Sequence, residues 1–142
     1  MTVYDSNNIF AKILRDEFPC YKVYEDDHVL AFLDIMPRSP GHTLVIPKAA
    51  ARNILDIKVE DFLHVARATH KIAAAAKKAF DADGITVQQF NEAAGGQVVF
   101  HLHVHVMPRQ DGIALLPPAS RKEDAKVLED NTKKLIAALQ GG

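Results

Sequence analysis

Three histidines alternate in the run His101-Leu102-His103-Val104-His105-Val106-Met107, and imidazole is the side chain that most readily exchanges a proton or offers a lone pair near neutral pH. On a β-strand successive side chains point to opposite faces, so the three rings line one face while Leu102, Val104 and Val106 line the other. The spacing predicts one face for packing and one for chemistry. At about 3.3 Å per residue, neighbouring imidazoles are anchored roughly 6.6 Å apart and the outer two roughly 13 Å apart. Zinc binds His nitrogen at about 2.0–2.1 Å, so His101 and His103 could share an ion, whereas His105 could join them only through a bulge. The row suits an elongated polar ligand better than a single metal.

Crowded imidazoles resist joint protonation, which leaves at least one ring neutral as a nucleophile or base. Ahead of the row, Gly95 and Gly96 lack side chains that would keep a phosphate away from backbone N–H groups, and the amides of Asn91 and Gln97 flank that loop. A strand with polar residues on its outer face is ordinary; three histidines behind a Gly-Gly-Gln loop are not. Three other histidines lack such company. His28 sits beside a turn, while His64 and His70 belong to a helix on which Glu60 can pair with His64, so all three read as surface or structural residues.

The elements that must position this row are legible from hydrophobic period and punctuation. Asn7 or Asn8 caps a short helix carrying Ile9, Phe10, Ile13 and Leu14, which ends before Pro19. Residues 21–24 and 28–33 flank Asp26-Asp27 as a hairpin, and His42 to Ile46 form a third strand stopped by Pro47. The longest helix spans about Val59 to Phe80, with Phe62, Val65, Ala66, Thr69, Ile72, Ala73 and Ala76 on one stripe. Residues 86–90 and 97–107 give the last two strands. Ser120 with Glu123 makes a capping box for a C-terminal helix, placed at about 120–139 and carrying Val127, Leu128, Leu135, Ile136 and Leu139. The expectation is one α+β domain over residues 1–142: an antiparallel sheet of about five strands, the long helix on one face and a ligand groove on the other.

Composition narrows the partners. Seventeen basic and eighteen acidic residues leave a formal charge of −1, so no global field recruits nucleic acid or an anionic membrane, and any phosphate site must be local. Cys20 is the only cysteine, which excludes an intrachain disulfide and a Cys-x-x-Cys site and fits a reducing compartment. Residues 1–8 lack a basic segment followed by an apolar one, and no apolar run is long enough to span a bilayer, so the expected location is the cytoplasm.

The segment Asn91-Glu92-Ala93-Ala94-Gly95-Gly96-Gln97-Val98-Val99-Phe100-His101-Leu102-His103-Val104-His105-Val106 resembles the histidine triad (HIT) family, whose signature is His-φ-His-φ-His-φ-φ with φ apolar. Residues 9–13, 31–35 and 40–48 resemble the other blocks of that family in the same order. The resemblance implies a homodimer with a continuous sheet and a purine nucleotide, AMP-like, as ligand. It implies that Asp34 accepts hydrogen bonds from ribose hydroxyls and that Phe10, Ile13, Phe18, Phe32 and Ile35 form the base pocket. Asn91, Gly96, Gln97 and Val98 would bind the phosphate region, and His42 matches an additional active-site histidine.

By the same resemblance His103 would attack the α-phosphorus of a nucleoside 5′-monophosphoramidate, with its Nδ1 proton held by a backbone carbonyl, and water would hydrolyse the nucleotidyl-histidine. His105, Gln97 and backbone N–H groups would stabilise charge on the phosphate oxygens, while His101 and His42 orient the site or relay protons. A dinucleoside polyphosphate hydrolase, a nucleotide-binding regulator with incidental turnover, and a metallohydrolase built on His101, His103 and His42 are the alternatives. The chain departs from the family pattern in two respects. Val98 stands where many members have Ser or Thr, and Asn8 and Ala11 replace a Cys-x-x-Cys zinc pair of some bacterial relatives. No metal or other cofactor is expected to be required, a divalent ion entering only as a substrate counter-ion.

Overall fold

The sheet separates two apolar clusters, and strand alternation decides which residues join which. The computed structural model describes residues 3–141; Met1, Thr2 and Gly142, which belong to the domain expected over 1–142, lie outside the described residues. In chain order the elements are α1 (Ile9–Leu14), β1 (Lys22–Glu25), β2 (Val29–Leu33), β3 (Thr43–Pro47), α2 (Val59–Ala79), β4 (Gly84–Gln88), a short 3-10 turn (Ala93–Gly95), β5 (Val104–Arg109) and α3 (Ala125–Gly141). The strands run β1-β2-β3-β5-β4 across the sheet, every neighbouring pair antiparallel. This is the expected α+β architecture.

Val29, Ala31 and Leu33 of β2, Val45 of β3, and Val104 and Val106 of β5 join the main core with Val65, Ala68, Ile72 and Ala76 of α2 and Leu128 and Leu135 of α3. Their neighbours Leu30, Phe32, Leu44 and Ile46 face the other way and pack with Phe10 and Ile13 of α1. Full burial of one such aliphatic side chain is worth about 1.5–3 kcal/mol, so both faces are specified strongly. The face that carries α1 also carries the histidines.

Four expectations shift. The last strand begins at Val104 rather than Gln97, because Leu102 N–H bonds Ala51 O at 2.9 Å and the Gln97 side chain bonds Arg52 O, so residues 97–103 pair with a loop instead of a strand. β4 begins at Gly84, pairing residue by residue from Gly84↔Arg109 to Gln88↔His105. The buried stripe of α2 includes Ala68 and Ala75, with Ala66 exposed and Thr69 half-buried, since that helix packs on α3 as well as on the sheet. The Ser120–Glu123 capping box does not form: Glu123 N–H is bonded to Ile35 O at 2.8 Å, and α3 begins at Ala125 with Leu128 N–H on Asp124 O. Asn8 does cap α1, its Oδ1 accepting from Ala11 N–H at 2.9 Å.

Gly41, immediately before the His42 strand, has φ +86, and a Cβ there would lie 2.3 Å from Cε2 of Phe80 at the end of α2. Backbone strain and overpacking add, so Gly41→Ala should cost about 2–4 kcal/mol, read as a lower urea midpoint. A midpoint equal to that of the native chain would contradict this reading of the contact.

Candidate active site

His103 and His105 stand on the α1 face of the sheet, and His42, in the same alternation as Leu44 and Ile46, comes to them from the residue just before β3. Leu44 is the register partner of His105. The ring of Phe10 meets His103 edge-on with centroids 4.9 Å apart, and Phe90 meets His105 likewise at 5.6 Å. Although only His105 of the triad lies within β5, the alternation holds through the preceding loop: Leu102 is fully buried in the main core while the three imidazoles turn the other way.

Hydrogen bonds from fixed donors and acceptors assign the tautomers. A backbone carbonyl can only accept, so His103 Nδ1, 2.7 Å from His101 O, carries the proton and leaves Nε2 as a lone pair. His101 Nε2 likewise donates to Pro47 O at 2.8 Å, and its Nδ1 accepts the Tyr4 hydroxyl proton at 2.6 Å. At the other end, Arg38 N–H donates to His42 Nδ1 at 3.1 Å, which places the His42 proton on Nε2, 2.9 Å from His105 Nδ1. His105 therefore carries its own proton on Nε2. Among the described residues, His103 Nε2 and His105 Nε2 have no protein partner, so adjacent rings present a lone pair and an N–H.

Burial keeps these rings uncharged. Desolvation, followed by neighbouring positive charge, lowers His42 to about 3 and His105 to about 4, and desolvation lowers His101 to about 4 and His103 below its ordinary value. Burial pushes the Asp34 carboxyl above the usual carboxylate range, opposed by the bond from Met36 N–H at 2.9 Å. Its Oδ2 lies 3.8 Å from His42 Nε2. Asp34, His42 and His105 thus offer three ligand atoms within 4.8 Å of one another. However, His42 Nε2 and His105 Nδ1 hold a proton between them at 2.9 Å, whereas zinc needs about 2.0–2.1 Å from each nitrogen and an unprotonated lone pair on both. Filling the set would break the relay.

The loop before the row is bonded to itself and to residues 51–56. Gly95, Gly96 and Gln97 N–H groups go to Glu92 O, Ala93 O and Glu92 O, so they do not form the open donor cradle expected of a Gly-Gly segment. Gln97 is buried, and its amide is fully used: Oε1 accepts from Asn53 Nδ2 and Glu92 N–H, and Nε2 donates to Arg52 O and Val99 O. Asn91 Oδ1 accepts from Ile54 N–H and from Gln89. Gly96 has φ +96, and a Cβ there would approach Phe90 to 3.3 Å, so its small size serves the ring beside His105. Val98 is 84% exposed.

Of the apolar residues assigned to a base pocket, Phe10, Ile13 and Phe32 are buried in the smaller cluster, whereas Phe18 and Ile35 are exposed. The site also contains residues that sequence reading missed. Tyr4 acts across 97 positions with no local motif, and Arg38 sits in a Pro-rich connection that reads as a turn. Arg52 holds Glu92 by two bonds and covers the Phe100 ring at 4.1 Å, and Glu92 itself has φ +66. An Arg and a Glu forty residues apart carry no periodic signal.

Each buried ring has a lower pKa folded than unfolded, so the unfolded chain takes up protons first and stability falls as pH drops from about 6.5 toward 4. Asp34 opposes this as one group against four. The urea midpoint should be lower at pH 5 than at pH 7, the unfolding free energy falling by on the order of 1–2 kcal/mol for each of His42, His101 and His105. An unchanged midpoint would show that the rings are not held neutral.

Comparison with known proteins converges on one family. A HIT domain profile matches residues 15–112. The crystal structure of a Hit-like protein involved in cell-cycle regulation from Bartonella henselae superposes with a TM-score of 0.93 at 57% identity, covering 96% of this chain and 99% of that one. Protein hit of Bacillus subtilis (strain 168) is 45% identical over 103 residues, 72% of this chain and 71% of the relative. Adenylylsulfatase HINT3 of Arabidopsis thaliana is 33% identical over 132 residues, 93% of this chain and 67% of its own. With the fold, the triad and these matches in agreement, the chain belongs to the HIT family, at family level a family of nucleotide-binding hydrolases.

Proposed function

We propose that this protein hydrolyses nucleoside 5′-monophosphate derivatives of the phosphoramidate type at the α-phosphorus, through a covalent nucleotidyl intermediate on His103. The observation that carries the reading is the 2.7 Å bond from His103 Nδ1 to His101 O, which leaves Nε2 unprotonated for attack. His105, bearing the opposite tautomer, gives its Nε2–H to a non-bridging phosphate oxygen. His42 acts through His105, fixing that tautomer, and His101 acts through its carbonyl rather than its ring. Gln97, Asn91 and Gly96 hold the loop frame instead of touching phosphate.

Asp34 receives the ribose hydroxyls, a role its Oδ2 can fill because Met36 N–H occupies the other oxygen. Exposed Ile35 and Phe18 offer free apolar surface to a purine above the packed floor of Phe10, Ile13 and Phe32. The chemistry requires no cofactor, and a divalent ion enters only with the substrate's phosphates. No helix among the described residues is long and apolar enough to cross a membrane; we assign the protein to the cytoplasm, as one domain over 1–142. β4 is one edge of the sheet and bears exposed Val87, and pairing through an edge would give the homodimer with a continuous sheet. A dinucleoside polyphosphate hydrolase is the second reading, since it would use the same nucleophile and phosphate groove.

Brief incubation with radiolabelled adenosine 5′-monophosphoramidate and acid quenching should trap label on the native chain. In His103→Ala the label should vanish and turnover fall by about three orders of magnitude or more, with AMP binding largely kept. Native-like hydrolysis by that variant would remove His103 as nucleophile, and a strong preference for dinucleoside polyphosphate would select the second reading.

A further inference from the structure

The carbonyl of His101 holds the proton on His103 Nδ1, yet any residue at that position would supply a carbonyl. The His101 imidazole is fully buried, where a polar ring costs more than an aliphatic side chain unless both its nitrogens are bonded. Both are: Nε2 donates to Pro47 O at 2.8 Å, and Nδ1 accepts from the Tyr4 hydroxyl at 2.6 Å. What the ring adds is therefore direction. β5 begins only at Val104, and β3 pairs with it no further than Val45↔Val104, so residue 101 stands beyond the end of the ladder. The peptide that must aim at His103 lies where no strand pairing fixes it, with Leu102 N–H on Ala51 O as the backbone tie beside it.

Tyr4 reaches that ring from a segment fastened to α1. Asn8 N–H and Nδ2 both bond Asp5 O, at 3.3 and 2.8 Å, Arg15 Nη1 bonds Ser6 O at 2.9 Å, and Asn8 caps the helix. The same helix lays Phe10 edge-on against His103 at 4.9 Å, and the Tyr4 and His101 rings meet edge-on with centroids 5.6 Å apart. One element thus touches both the ring that anchors the carbonyl and the ring that uses it. Burial raises the Tyr4 hydroxyl above its ordinary value, so it keeps its proton and remains a donor. Removing that donor leaves a buried lone pair on His101 Nδ1. The ring can satisfy it only by turning or by moving its proton, and either change releases Pro47 O.

We propose that Tyr4 is a positioning residue for the reaction: its hydroxyl clamps the His101 ring against Pro47 O, and the clamp keeps the His101 carbonyl aimed at His103 Nδ1. The inference rests on His103 being the nucleophile. With the clamp closed, the His103 proton stays on Nδ1 and the Nε2 lone pair is ready for the α-phosphorus. With it open, the carbonyl drifts, the proton partitions between the two nitrogens, and molecules that hold it on Nε2 cannot attack. Tyr4 needs no contact with the nucleotide for this role, so its loss slows attack without weakening binding.

The test compares the native chain with Tyr4→Phe, which keeps the ring and removes only the hydroxyl, in single-turnover labelling of His103 by radiolabelled adenosine 5′-monophosphoramidate. Tyr4→Phe should slow labelling about fivefold to twentyfold while the AMP dissociation constant stays within about twofold. Nitrogen NMR of the imidazoles should show His103 protonated on Nδ1 alone in the native chain and a mixture of tautomers in the variant. His101→Leu keeps the carbonyl and discards both ring bonds, so in that background Tyr4→Phe should change labelling by less than about twofold. A native labelling rate in Tyr4→Phe, or the same loss with and without the His101 ring, overturns the clamp. Rate and AMP affinity falling together would mark Tyr4 as merely structural and overturn it as well. Absence of label on the native chain rejects the nucleophile and this role with it, whereas normal native labelling with an unaffected Tyr4→Phe rejects the clamp alone.

Discussion

Everything chemical in this molecule depends on holding several neutral imidazoles in fixed tautomers, and the bond from His103 Nδ1 to the carbonyl of His101 is the constraint that sets the rest. An imidazole has two equivalent-looking nitrogens, and only a fixed acceptor on one makes the other a dependable lone pair. Here the acceptor is the backbone itself, two residues away, which no side-chain substitution removes. His42 and His105 solve the complementary problem from the other end, where a backbone N–H on Arg38 forces the proton outward through two rings in series. The site is polarised by main-chain groups at both ends, and the side chains transmit that polarity.

Such an arrangement is stable only on a rigid surface, and the two-sided sheet supplies it. The main core presses from one side with α2 and α3, and the small cluster under α1 presses from the other. His101 is completely buried and His103 keeps 8% exposure, so one ring is a structural support and its neighbour reaches the solvent. Burial also explains the depressed pKa values without any ion pair. The rings remain neutral because charge would be poorly solvated, and neutral rings are what the tautomer relay requires.

The fold class, the element order and the division of the sheet into a packing face and a histidine face were legible in the sequence, because periods of two and 3.6 residues report burial directly. His103, His105, His42 and Asp34 came together as the spacing and the family pattern implied. What could not be read was the wiring. The Gly95-Gly96-Gln97 segment has the composition of an open phosphate cradle, yet its donors are spent on Glu92, Ala93 and the 51–56 loop, a closure that depends on long-range geometry. The capping box at Ser120 failed for a similar reason: Glu123 N–H found Ile35 O, and a tertiary bond outweighed a local motif. Tyr4 and Arg38 were invisible because a single polar residue in a loop announces nothing until its partner is known.

The tether from Tyr4 to His101 bears on how the molecule comes into being. The contacts that complete the row join residues separated by 97, 54 and 63 positions: Tyr4 with His101, His101 with Pro47 O, and His42 with His105. Contacts so distant along the chain form only after the intervening loops have closed, which places them late in folding. The completed row is thus a property of the finished topology. A chain still emerging from the ribosome can hold α1 and its first hairpin, but the imidazole row is not braced until Tyr4 has met His101.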